Sequence, residues 1–163
     1  MAHHRLAAAA LVVLFALPLG ACADGAGDSD GATAGGATLL AEVAGYREWA
    51  RAPGDFAAPL NPSSGPHGSF VDIYINDVVE QALLAEPDTL DAWPVGSIIV
   101  KDGWEDDEGT LRFVALMEKT EDGWYWEEYA DDDLESPLYA GTPSACVICH
   151  AEGSDSVRAF ALP

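Results

Sequence analysis

Cys146-Val147-Ile148-Cys149-His150 constrains this chain more than any other run in it. C-x-x-C-H is the attachment signature of a c-type haem. Two thiols three residues apart can add to the two vinyl groups of one porphyrin. The adjacent imidazole then comes under the ring, where it can bind the iron from the proximal side. Rival uses of the same residues are weaker. A dithiol redox site would want a thioredoxin-like βαβ context, and no such pattern is visible. A zinc site needs four ligands, whereas Cys146, Cys149 and His150 supply three, and His67 is the only other histidine after the leader.

The N-terminus fits an exported protein. Met1 to Arg5 is short and basic, and Leu6 to Leu19 is apolar, about as long as a signal-peptide core. Leu19-Gly20-Ala21-Cys22 looks like a bacterial lipobox, which predicts a signal peptide over 1–21 and a lipid on Cys22. The alternative is an ordinary secretory signal with Cys22 left as a free thiol. Bacterial c-type haem is attached outside the cytoplasmic membrane, so export and the haem motif agree. The expected location is the periplasmic side of a bacterial membrane. Ala23, not Asp, follows Cys22, which by the usual sorting rule points to the outer membrane. The three cysteines are then spent, one on lipid and two on haem, and none remains for a disulfide.

Residues 22–38 are mostly Gly, Ala and Asp and read as a flexible tether. Residues 39–163 form one haem-binding domain, rich enough in aromatic and branched side chains to build a core around a large apolar cofactor. The formal net charge is -21. Such a surface repels nucleic acid and anionic headgroups, so contact with the membrane is expected through the lipid alone. The charge either steers a basic redox partner or serves solubility. Glu105 to Glu108 and Asp131 to Asp133 read as solvated loops, without the alternating spacing of a calcium loop.

The periodicities predict an α+β fold, mainly an antiparallel sheet with peripheral helices and a C-terminal haem-attachment helix. Leu39 to Arg51 carries a helical apolar stripe with Thr38 as N-cap, and the Pro- and Gly-rich stretch to Gly68 reads as a long loop. Phe70–Asn76 and Ser97–Lys101 read as strands. Asp77 and Glu80 form a capping-box pattern opening a short helix, Val78 to Ala85. Thr110–Lys119 and Trp124–Tyr129 read as a hairpin around Thr120-Glu121-Asp122-Gly123. A helix opening at Thr142-Pro143-Ser144 carries the cysteines.

The haem motif lies near the end of the chain, and nothing after His150 is Met or His. A low-spin electron carrier would have to recruit Met117 or His67 from upstream. Met117 reads otherwise as strand core, and His67 as a loop residue. The expectation is a five-coordinate iron with an open distal side, the arrangement that binds small gases or does chemistry.

Tyr46-Arg47-Glu48-Trp49, Pro66-His67-Gly68, Val71 to Asp77, Trp93-Pro94-Val95-Gly96 through Asp102, Gly123-Trp124-Tyr125-Trp126 and the terminal haem motif follow one another in this order. That succession resembles the cytochrome P-460 and cytochrome c′-beta family, over nearly all of the domain. The resemblance implies a mainly antiparallel β fold, often dimeric, with one c-type haem per chain. The P-460 branch oxidises hydroxylamine and cross-links a lysine to the porphyrin. The c′-beta branch lacks the cross-link and binds nitric oxide or similar gases. The resemblance places Lys101 at the cross-linking lysine; the other reading is a lysine that ends a strand and reaches solvent. The P-460 branch also uses an acidic pocket residue, and Leu111 to Met117 contains none, with Glu118 the nearest. Aromatic caps over the iron in the c′-beta branch make Phe70, Phe113, Trp124 and Trp126 candidates, each equally readable as sheet core. His67 is a candidate hydrogen-bond donor to a distal ligand. The alternative functions are a non-catalytic nitric oxide-binding protein and a periplasmic electron carrier.

Overall fold

The computed structural model describes residues 38–163. The expected signal peptide, Cys22 and the tether up to 37 lie outside the described residues. Seven strands form one antiparallel sheet: β1 Ala50–Arg51, β2 Asn61–Pro62, β3 Phe70–Ile75, β4 Ile98–Trp104, β5 Leu111–Thr120, β6 Gly123–Ala130 and β7 Tyr139–Gly141. The order is β1-β3-β4-β5-β6-β7, and β2 pairs with β3 beside β1. Three short helices surround it: α1 Leu39–Glu42, α2 Asp77–Ala82 and α3 Ser144–His150. The fold is thus the expected α+β, mainly antiparallel β.

The differences from expectation have local causes. The stripe from Leu39 does bury Leu39, Val43 and Tyr46. The helix nevertheless stops after Glu42, because Gly45 turns left-handed (φ 90°) and the chain then joins the sheet as β1. Thr38 is the N-cap, accepting from the Ala41 N–H. The α2 cap is Asn76, one residue earlier than the capping-box pattern suggested. Its side chain accepts from Val79 and Ile98 and donates to the Gly96 carbonyl, so one amide ties helix to strand. β4 runs three residues beyond Lys101, which therefore sits in mid-strand.

Side chains alternate across a strand, so register assigns faces. On one face lie Val71, Ile73 and Ile75 of β3, Ile99 of β4, Met117 of β5, and Trp124 and Trp126 of β6, packed with α2, Trp93 and Val157. On the other lie Tyr74, Val100, Val114, Leu116 and Tyr129, covered by Leu39, Val43 and Tyr46. The sheet is the partition between two cores, and α3 lies on the first side.

Candidate haem site

α3 places Cys146 and Cys149 three residues apart, on one face of the helix. Both thiols are free and line, with His150, a mostly apolar cavity of about 240 Å³. Burial, reinforced by the charge of Glu128, pushes the Cys146 thiol up. A reactive dithiol would want the opposite shift. The His150 Nδ1 lies 2.8 Å from the Ser156 carbonyl, so Nδ1–H donates and Nε2 is left as the free nitrogen. Burial lowers the His150 pKa against the opposing pull of that hydrogen bond, which favours the neutral imidazole that binds metal.

The sheet supplies the opposite wall. In register across three strands run Lys101 of β4, Ala115 of β5 and Glu128 of β6, beside Ile73 of β3. Lys101, Ala115, Glu128 and Ile73 all line the cavity. Among the described residues Lys101 has no hydrogen-bond or ion-pair partner. Burial lowers its pKa, opposed by the charges of Cys149 and Glu128. The shift favours the neutral amine, the nucleophilic form of lysine.

His67 enters from above. Pro66-His67-Gly68 crosses the end of β4 at Gly103, where a Cβ would overlap the His67 carbonyl oxygen. Gly68 (φ 147°) lies against the Trp104 backbone, which a Cβ there would meet at 2.7 Å. Two glycines thus let a loop lie flat on a strand and aim an imidazole into the cavity. The His67 Nδ1 comes 2.9 Å from Glu128 Oε2. The approach is off the ring N–H direction, so Nδ1 has an ionic neighbour and no aligned hydrogen bond. The His67 and His150 ring centres are 6.5 Å apart. Trp126 packs near His150 at 6.4 Å, and its indole N–H is a buried donor with no acceptor among the described residues.

These residues fit a c-type haem. Two thiols share a helix face beside an apolar cavity, the imidazole has one nitrogen fixed and one free, and the wall carries an unpartnered buried donor. Cys146 and Cys149 would hold the porphyrin and His150 the iron. Among the described residues no three His, Cys, Asp or Glu side chains cluster as a metal-ligand set, so the four-ligand zinc arrangement is not formed.

The expected site residues separate clearly. Cys146, Cys149, His150, Lys101, His67, Met117 and Trp126 meet at the cavity. Phe113 shares the cavity face but lies one register row beyond Lys101, outside the lining residues, beneath the Arg112 guanidinium. Phe70 has the other parity, paired with Pro62 and Trp104. Trp124 points to the turn after α3. Glu118 lies on the opposite face, where burial raises its pKa.

The carboxylate in the cavity is Glu128, which a search of β5 alone cannot find. The signal lay in the hairpin: with Thr120 opposite Gly123, Ala115 must oppose Glu128, and alternation puts Glu128 on the face of Trp126.

A comparison with curated proteins returns no match. The family described as Cytochrome P460 matches residues 43–158. That span holds every strand of the cavity wall and the C-x-x-C-H helix, and the chain belongs to the cytochrome P460 family of c-type haem cytochromes.

Proposed function

We propose that this protein oxidises a small nitrogen species, hydroxylamine or nitric oxide, at a haem attached through Cys146 and Cys149 and ligated by His150. The observation that carries the reading is the row Lys101–Ala115–Glu128 with His67 above it, facing the thiols across one apolar cavity. A plain electron carrier has no use for three ionisable side chains there. The haem would supply the site at which substrate nitrogen binds and through which electrons leave. Oxidation of hydroxylamine to nitric oxide releases three protons and three electrons. Glu128 is the group placed to take the protons, and His67, at 2.9 Å, the group placed to pass them on. Lys101, unpaired among the described residues and biased towards the neutral amine, is the candidate for a covalent bond to the porphyrin edge, in which an N–C bond would replace one N–H and one C–H and two electrons would pass to an external oxidant. The electrons pass to an exported cytochrome, for which the -21 charge favours a basic docking face. In this reading the protein sits on the periplasmic side of a bacterial membrane, anchored by lipid at Cys22, and forms a homodimer.

One observation favours a second reading, an electron carrier whose haem iron would be held by both His150 and His67. Two imidazoles that would share one metal ion must face each other at close range. His67 and His150 are at 6.5 Å, each with Nδ1 beside an oxygen acceptor.

The test is the optical spectrum of the ferrous protein, matured in a host that attaches c-type haem, followed by hydroxylamine turnover with an electron acceptor. A strongly red-shifted Soret band, lost in Lys101→Ala, together with turnover supports the first reading. A low-spin spectrum that turns high-spin in His67→Ala supports the second. An ordinary high-spin band without turnover leaves gas binding. A protein that matures without any haem band sinks all of these.

A further inference from the structure

The segment after α3 is bent in a way that needs support. Ser154 and Val157 exchange both backbone hydrogen bonds, closing a two-residue turn on Asp155 and Ser156. Both central residues are left-handed, at φ 44° and 67°. Neither is glycine, and such conformations persist only where the surroundings impose them. Here they do. The Asp155 carboxylate accepts from Lys119 Nζ at 2.9 Å and from the Trp93 backbone N–H at 2.8 Å. The Asp155 carbonyl accepts from the Trp124 indole at 2.8 Å, and the Ser154 carbonyl from the Trp93 indole at 3.1 Å. Lys119 also lies over the Trp124 ring. Gly153 allows the close return, since a Cβ there would press on the Val157 backbone. The next carbonyl after Asp155 is that of Ser156, the acceptor of the His150 Nδ1–H.

We propose that Asp155, clasped by Lys119, Trp93 and Trp124, is a positioning residue that sets the orientation and electron donation of the proximal imidazole. The inference rests on the reading of His150 as the iron ligand and adds how that ligand is held. α3 is only seven residues long and has no side-chain N-cap, so it cannot itself fix the ring. The clasp ties the ring's hydrogen-bond acceptor, the Ser156 carbonyl, to the β5–β6 hairpin, the same two strands that carry Met117, Trp126 and Glu128 into the cavity. Ligand and opposite wall then move as one body. An acceptor held on Nδ1–H makes the imidazole a stronger donor through Nε2 and stabilises the ferric state; a loosened acceptor does the reverse. The clasp also explains two tryptophans, Trp93 and Trp124, that no step of the proposed chemistry uses.

The experiment compares matured wild type with Asp155→Asn, Lys119→Met, Lys119→Arg and Trp124→Phe. Three quantities are read: the iron–histidine stretching band of the ferrous form by resonance Raman, the reduction potential and the unfolding midpoint. Asn tolerates the left-handed turn but cannot pair with Lys119 as an ion. In Asp155→Asn and Lys119→Met the band moves to lower wavenumber and broadens, and the potential rises. Lys119→Arg restores both towards wild type. A lower unfolding midpoint with band and potential unchanged makes the clasp merely structural and overturns the proposal. If Asp155→Asn does not mature, Trp124→Phe, which keeps an aromatic ring and deletes the indole donor, decides by the same two readouts. A five-coordinate, high-spin wild type without an iron–histidine band removes His150 as the ligand, a different failure that takes the proposal with it; in a low-spin wild type the reduction potential decides.

Discussion

Two pairs of neighbours in the chain, Lys101 with Asp102 and Glu127 with Glu128, are split by the sheet and meet opposite fates. On the far face the three most deeply buried carboxylates among the described residues, Asp72, Asp102 and Glu127, are all saturated. Asp102 accepts from Tyr46 Oη at 2.5 Å and from the Arg47 guanidinium at 2.6 and 3.0 Å. Asp72 takes Arg51, the Leu60 N–H and the Trp104 indole. Glu127 takes the Leu39 and Leu40 N–H groups and the Tyr125 and Tyr129 hydroxyls, so it both caps α1 and fills the core. On the cavity face, among the described residues, Lys101 has no partner, Glu128 meets only an off-line imidazole, and the Trp126 indole has no acceptor. Buried polar groups are normally paired because desolvation without a partner is costly. One face follows that rule and holds the fold together. The other breaks it, which is where chemistry or a bound group is expected.

The contrast is sharpest if substitutions on the two faces dissociate activity from stability. Glu128→Gln keeps shape and loses the base. Hydroxylamine turnover should fall about 10²–10⁴-fold, while urea unfolding stays within about 1 kcal/mol of wild type. Equal losses in both would erase the distinction. Asp102→Ala, one residue from Lys101, should do the converse. It strands the Tyr46 hydroxyl in the core and frees a half-exposed Arg47, for about 2–3 kcal/mol of stability and an unchanged visible spectrum. Gly103→Ala sits between the two. The new methyl meets the His67 backbone, so unfolding should cost about 1–3 kcal/mol and the spectrum should change with it as the loop lifts. An undisturbed spectrum would separate His67 from the site.

The smallest effect is on alkaline stability. Burial, then the hydrogen bond to Glu127, pushes Tyr125 from about 10 up to about 12. The unfolded chain therefore loses this proton first, and the stabilisation, complete below pH 10, is lost as pH rises towards 12. Thermal midpoints recorded over that window should fall less steeply in Tyr125→Phe. Tyr46 and Tyr129 are raised for the same reasons and act in the same direction.

Strand alternation and turn chemistry made most of the sheet legible. The β5–β6 hairpin, β3 and α3 fall within a residue or two of their expected bounds. The short strands β1, β2 and β7 were not legible, because two or three residues carry no period and pair only where a neighbouring edge is offered. The long helix expected from Leu39 failed for a related reason: the stripe was real, but Gly45 ended the helix and the edge of β3 recruited the rest. At the site, C-x-x-C-H needs only local spacing, and Lys101 came from resemblance. Glu128 was hidden, since its place depends on the register of a hairpin and not on its own neighbours.

What the sequence by itself determined is a c-type haem motif at the end of a mainly antiparallel β chain, because thiol spacing and strand period are local properties. Only the tertiary structure decided which charges are saturated and which are left open. Lys101 and Asp102, or Glu127 and Glu128, are alike to any local reading, and the pleat alone sends one of each pair into a filled network and the other into the cavity.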